Sequence, residues 1–238
     1  MKTLTRILLL LISVLAFQSA SAQWESNFDL QYFSNGQFKV ADKESHYGDI
    51  DGSPFLTKDW TPGAVRLSDG KIYRDILLKY DEVNNILMFK YKLTDSAMAF
   101  ESPAREFKLS YIENNKICNV HYINGFDPVD KATNTTFYQI LSLGKAVLLK
   151  HTVKKILESQ AYGNTEIERR VMESDFYYVL NGNQPVRIKN DKKSIIAYFG
   201  GDGDKIKQFI SGADLDVKND DDLVKVFDYY NSLAKAGS

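Results

Sequence analysis

The chain has 238 residues, 30 Lys and Arg against 31 Asp and Glu, and a single cysteine. A net charge of −1 offers no basic face for nucleic acid, and the lone Cys118 excludes an intramolecular disulfide and any cysteine-based metal site. With no disulfide available, packing must hold the fold, and 14 Tyr and 14 Phe supply large apolar side chains for it.

Lys2 and Arg6 give a positive start, and Ile7 to Phe17 is apolar apart from Ser13. Small residues follow at Ser19-Ala20-Ser21-Ala22, spaced as a signal peptidase reads them. Residues 1–22 are therefore expected to be a signal peptide cut after Ala22. An apolar run of 11 residues spans only about half of a ~30 Å hydrocarbon core, which argues against a membrane anchor. No Cys follows the cut, so lipidation through an N-terminal cysteine is not available and Gln23 would lead the mature chain. Losing Lys2 and Arg6 takes the net charge from −1 to −3. The product is expected to be soluble and exported to the periplasm, the cell surface or the medium. It should carry no transmembrane segment, since no later stretch reaches the ~20 apolar residues of a spanning helix.

Residues 23–52 read as an extended lead-in with one short strand at Phe28 to Phe33. Residues 53–190 read as an antiparallel β domain. Ala64 to Leu67 runs into Ser68-Asp69-Gly70, a hairpin signal, and then Ile76, Leu78 and Tyr80 fall on one face of the next strand. Val83-Asn84-Asn85 turns the chain into Ile86 to Leu93. Phe107, Leu109 and Tyr111 alternate, and Glu113-Asn114-Asn115-Lys116 turns into Ile117 to Ile123. Phe137 to Leu143 and Ala146 to Ile156 flank Gly144-Lys145 as another hairpin. Asp175 to Leu180 meets Pro185 to Ile188 across Asn181-Gly182, a pair that suits a type I′ turn.

Residues 191–238 change to a helical period. Asn190-Asp191 can cap a helix through Ser194 to Phe199, which Gly200-Gly201 ends. Asp202 or Asp204 can open a second carrying Ile206, Phe209 and Ile210. Asn219-Asp220-Asp221-Asp222 opens a third, with Leu223, Val226, Phe227, Tyr230 and Leu233 on one stripe. The expected class is α+β: an antiparallel β-meander forming a curled sheet, sandwich or open barrel, followed by two or three short C-terminal helices packed on it.

Few polar residues point to chemistry. His46, His121 and His151 are far apart, and none makes a zinc motif; His151 keeps step with Val147, Leu149 and Val153 and is expected on an inward face. Ser142-Leu143-Gly144-Lys145 matches the Ser-x-x-Lys of acyl-transfer enzymes but falls on a strand end and turn rather than at a helix start. Asp49-Ile50-Asp51-Gly52 has the spacing of a calcium-wrapping loop without the further ligands of an EF-hand. Gly200-Gly201-Asp202-Gly203 is explained by helix termination. Asn134-Thr135-Thr136 is a glycosylation acceptor pattern where the host glycosylates secreted proteins. Cys118, in step with Val120 and Tyr122, is expected to be buried and inert. Tyr177 and Tyr178, adjacent on a strand, must face opposite sides, so one is expected to reach solvent.

From Gly52-Ser53-Pro54-Phe55-Leu56 through Asp59-Trp60-Thr61-Pro62-Gly63, Asp69-Gly70-Lys71-Ile72-Tyr73 and Leu77-Leu78-Lys79-Tyr80-Asp81, the chain resembles a set of secreted, uncharacterised Bacteroidetes proteins. Phe55 stands where those proteins typically have Tyr, and Lys79 and Asp81 where they have Arg and Asn. The similarity extends loosely to Phe137 through Leu149 and to Tyr229-Tyr230-Asn231. It implies export and a β-rich fold, and carries no catalytic residue.

No catalytic, cofactor-binding or metal-binding residue is assigned, and no cofactor is implied. The expected function is that of a non-enzymatic binding or envelope-associated module, whose partner is a protein, a glycan or a small molecule. The alternatives are a hydrolase using carboxylates such as Glu101, Glu106 or Asp175, and a carrier with an apolar cavity inside the curled sheet. A hydrolase would show itself as a concave pocket holding two acids, or an acid and a histidine, with perturbed titration.

Overall fold

Among the described residues, eleven strands join in one antiparallel sheet; the computed structural model describes 39–40, 47–160 and 167–236. All of these fall within the unit 38–238. The signal peptide expected over residues 1–22 and the strand expected at Phe28 to Phe33 both lie outside the described residues. In chain order the strands are β1 (Lys39–Val40), β2 (Thr61–Leu67), β3 (Ile72–Asp81), β4 (Ile86–Lys90), β5 (Met98–Ala99), β6 (Ala104–Glu113), β7 (Lys116–Ile123), β8 (Tyr138–Ser142), β9 (Leu148–Ser159), β10 (Glu168–Asn181) and β11 (Gln184–Ile188). Their order across the sheet is β1-β5-β4-β3-β2-β6-β7-β8-β9-β10-β11.

The turns follow side-chain chemistry. Asn114 and Asn115 both take positive φ, 49° and 63°, as the two central positions of a type I′ hairpin require. At the β10–β11 turn the structure corrects the sequence reading. Asn181 pairs with Gln184, so the loop residues are Gly182 and Asn183, and only Gly182 takes positive φ, at 63°. That is the type II′ pattern, with glycine at the first central position.

The first half of the sheet is rolled. Four residues link β5 to β6, and five Cα steps reach at most about 18 Å. Four strand spacings in a flat sheet would need about 19 Å. The rings agree: Tyr80 on β3 and Tyr122 on β7 are three spacings apart, about 14 Å if flat, yet their centroids lie 5.5 Å apart. Inside the roll, Val65, Ile76, Leu78, Tyr80, Phe89, Phe107, Leu109 and Tyr122 pack with Phe137. The faces expected for Ile76, Leu78 and Tyr80 and for Phe107 and Leu109 are those observed.

In the second half the same face is covered by three helices, α1 (Lys192–Tyr198), α2 (Gly203–Gly212) and α3 (Asp220–Ala236). Asp191 caps α1 by accepting from Ser194 N at 2.8 Å. Asn219 caps α3 by accepting from Asp222 N at 3.3 Å. Ile206, Ile210, Leu223, Val226 and Phe227 are fully buried against Leu148, Tyr177 and Val179. Each such side chain contributes roughly 1.5–3 kcal/mol relative to exposure. Asn231 of α3 fastens the β8–β9 turn: its amide accepts from Ala146 N at 2.9 Å and donates to Ala146 O at 3.0 Å and Ser142 Oγ at 3.2 Å. A Cβ on Gly144 would lie 2.4 Å from Asn231 Cγ, so this turn needs glycine for close approach.

The sheet does not close, because its end strands β1 and β11 do not pair. A strap from Asp51 to Leu56 nonetheless ties the free edge of β10 to the end of β3. Asp51 N donates to Arg169 O and Val171 N to Asp51 O, at 2.9 and 2.8 Å. Glu82 N donates to Pro54 O and Leu56 N to Tyr80 O, both at 3.0 Å. The lead-in thus joins the sheet at its described residues. Two burial expectations are corrected. Tyr177 and Tyr178 do face opposite sides, but both are buried, because helices cover one side and the loop 124–137 the other. Cys118 is only half-buried, near the turn of the β6–β7 hairpin.

Candidate functional site

On β9, Leu149, His151 and Val153 alternate onto the face opposite the helices. The pairings Phe176 to His151, Tyr178 to Leu149 and Arg187 to Tyr178 put those residues on it too. Tyr138 of β8 joins them, its ring 5.3 Å from those of His151 and Tyr178. The β3–β4 turn and the loop preceding β8 stand over this surface. A cleft of about 710 Å³ opens between them, lined by Tyr80, Glu82, Val83 and Asn85, by Asp130, Lys131, Ala132 and Thr136, and by His151 to Lys155 (without Thr152), Phe176, Tyr178 and Arg187.

Local chemistry shapes each wall. Asn85 takes φ 56° and latches the turn to the loop: it accepts from Tyr80 Oη at 2.8 Å and Phe137 N at 3.3 Å, and donates to Thr135 O at 2.9 Å. Asp130 sits at φ 53°, where aspartate is tolerated, inside the tight bridge of Val129 to Ala132. It accepts from Tyr178 Oη at 3.1 Å and lies 3.8 Å from Arg187 Nη1. The Arg187 guanidinium rests 4.3 Å above the Phe176 ring.

Behind the turn, Lys154 and Glu82 form a buried ion pair at 2.9 Å, their side chains 9% and 2% exposed. Lys154 also donates to Ser53 O at 3.2 Å and Phe55 O at 2.8 Å, so one ammonium holds the strap, β3 and β9 together. Burial pushes the Glu82 carboxyl up, and Lys154 partly pulls it back. Burial pushes His151 down, so its imidazole is neutral at pH 7, and it makes no side-chain hydrogen bond among the described residues. The Tyr138 hydroxyl is buried without a hydrogen-bond partner among the described residues; burial and the nearby Asp130 push it up to about 12. Lys131 and Lys155, exposed at the rim, have no ion-pair partner among the described residues.

The structure disperses the acids named for a hydrolase. Glu101 is exposed in the loop before β6. Asp175, on the helix-covered face, takes Lys150 Nζ at 2.8 Å and Thr152 Oγ1 at 2.7 Å. Glu106 lies on the opposite face, its oxygens shared between Arg66 and His121 Nε2, the latter at 2.5 Å. Burial would raise Glu106, but the hydrogen bonds from His121 and Arg66 outweigh it and bring the carboxyl down to about 2. Ser142 and Lys145 form no pair: Ser142 Oγ donates to Asp228 at 2.6 Å, while Lys145 lies over Tyr230 at 5.3 Å. Asp49 and Asp51 are exposed, Asp51 serves the ladder with its backbone, and no group of three metal-binding side chains occurs among the described residues. His46 lies outside them. The inside of the roll, where a carrier would require its cavity, is filled by rings such as Phe107 and Tyr122, stacked at 4.8 Å.

Of the cleft residues, the sequence singled out His151 and, as one of an adjacent tyrosine pair, Tyr178. Glu82, Asp130, Lys154, Phe176 and Arg187 come from chain-distant pieces, and no spacing links them. Among the described residues no helix is long and apolar enough to cross a membrane. Comparison with protein families, with curated proteins and with solved structures finds no match.

Proposed function

We propose that this protein is an exported, non-enzymatic binding module that takes a small organic molecule into the cleft over His151. One observation carries it: a space of about 710 Å³, within the ~300–1,000 Å³ of small-molecule sites, presents an unpartnered neutral histidine beside an aromatic wall. Binding of 8-anilinonaphthalene-1-sulfonate tests it. Saturable one-to-one binding that Val153→Trp abolishes by filling the cleft is the expected result; no binding, or binding indifferent to that substitution, would overturn it.

Export is proposed from Lys2, Arg6, the apolar run Ile7 to Phe17 and the small residues before Gln23, and from the likeness to secreted Bacteroidetes proteins. Intact mass in fractionated host cells should find a species starting at Gln23 in the periplasm, at the surface or in the medium. A full-length species held in the envelope would contradict this.

The same cleft favours one second reading, a general acid–base enzyme, since it holds His151 together with Glu82 and Asp130. Against it, Glu82 is engaged by Lys154 and Asp130 by Tyr178, and neither hydrogen-bonds His151. Binding is the better-supported function.

A further inference from the structure

The charge around the cleft is uneven. Four cations, Lys131, Lys154, Lys155 and Arg187, line it against two carboxylates, Glu82 and Asp130. The pairings make the excess sharper at the rim. Lys154 is consumed by Glu82 and two carbonyls below the surface. Asp130 is shared between the Tyr178 hydroxyl and Arg187, and its contact with Arg187 is the longer, at 3.8 Å against 3.1 Å. Lys131 and Lys155 have no carboxylate partner among the described residues, so the rim presents two uncompensated ammonium groups and a guanidinium only weakly neutralised.

Below the rim the wall changes character. Phe176 and Val153 form an apolar surface backed by the buried Tyr178, and His151 offers one donor and one acceptor from a neutral ring. A ligand matching both levels carries negative charge at one end and a flat apolar body at the other. We infer that the cleft selects an organic anion, with its carboxylate, sulfonate or phosphate at Lys131, Lys155 and Arg187 and its apolar part against Phe176 and Val153. This inference rests on the cleft being the ligand site, and it adds the ligand's chemical class.

A matched pair of probes tests it. 8-Anilinonaphthalene-1-sulfonate and N-phenyl-1-naphthylamine share a ring system and differ by the sulfonate. The expected result is at least about tenfold tighter binding of the sulfonate, weakening as salt is raised. In the double variant Lys131→Glu/Lys155→Glu the sulfonate should lose about tenfold or more while the neutral probe is unchanged. Both lysines are exposed, so the variant should fold, and far-UV circular dichroism checks that it does. Equal binding of the two probes, with charge reversal having no effect, would overturn the selection of anions and leave the cleft a ligand site. Failure of both probes to bind would overturn the ligand site itself and the inference with it.

Discussion

Replacing Lys154 by Met should destabilise the protein at neutral pH by an amount the structure sets. Its ammonium is the partner of Glu82, whose side chain is 2% exposed, and it also satisfies the carbonyls of Ser53 and Phe55. Methionine fills a similar volume, so the loss is electrostatic rather than a cavity. Leaving one member of a buried ion pair uncompensated costs about 3–5 kcal/mol. For a protein of this size that lowers Tm by roughly 6–20 °C. The cost should also depend on pH. Burial already raises Glu82, and removing Lys154 removes the pull that lowers it, so its folded pKa rises further. A carboxyl raised on folding favours the folded state below its unfolded pKa, and that advantage is lost as pH rises through the folded value. The variant should therefore lose less stability near pH 4.5 than at pH 7.5. Adding Glu82→Leu should recover most of the loss, because an apolar pair replaces the stranded charge. Urea denaturation of the four proteins of the cycle, at both pH values, measures this. A cost under about 1 kcal/mol at pH 7.5, or a double variant no better than the single, would refute the reasoning.

Three further outcomes are expected. Asn231→Ala strands Ala146 N and O at the β8–β9 turn; it should cost about 2–3 kcal/mol in urea denaturation and speed amide exchange at Ala146. His151, pushed down by burial, makes stability fall as pH drops below about 6.5, because the unfolded chain then binds the proton more readily. His151→Phe should flatten the Tm profile between pH 7.5 and 5.5. Glu106, at about 2 in the fold, stabilises fully above its unfolded pKa of 4.5, and that stability is lost as pH falls toward 2. Glu106→Gln should cost about 1–2 kcal/mol at pH 7, allowing for solvent screening, and almost nothing at pH 2.

Hairpins were legible where turn chemistry and alternation coincide: Asp69-Gly70, Asn114-Asn115, and the period-two run of Ile76, Leu78 and Tyr80. The far half of the β9–β10 ribbon was not. Its register runs from Glu168 opposite Ser159 to Val179 opposite Leu148, but its outer residues are charged rather than alternating. Cross-strand pairs do there what burial does elsewhere, as with Arg169 and Glu158 at 2.9 Å and Lys154 and Glu173 at 3.5 Å. β5 went unread because two residues leave no period to find. The cleft was legible at His151, whose step with Leu149 and Val153 placed it on a covered face, and at Tyr178, whose adjacency to Tyr177 put it on the opposite side from its neighbour. Its remaining walls depend on the rolling of the sheet, which brings the β3–β4 turn and the 130–136 loop over β9. That is a tertiary fact with no local signature.

The most direct test of the central claim is a heteronuclear NMR titration of the assigned protein with 8-anilinonaphthalene-1-sulfonate. Binding in the cleft predicts saturating shifts at residues 82–85, 130–136, 151–155 and 176–178, with the His151 imidazole among the most affected. Shifts centred elsewhere, for example on the exposed Ile112 and Ile117 of the β6–β7 hairpin, or no saturating shifts at all, would contradict it.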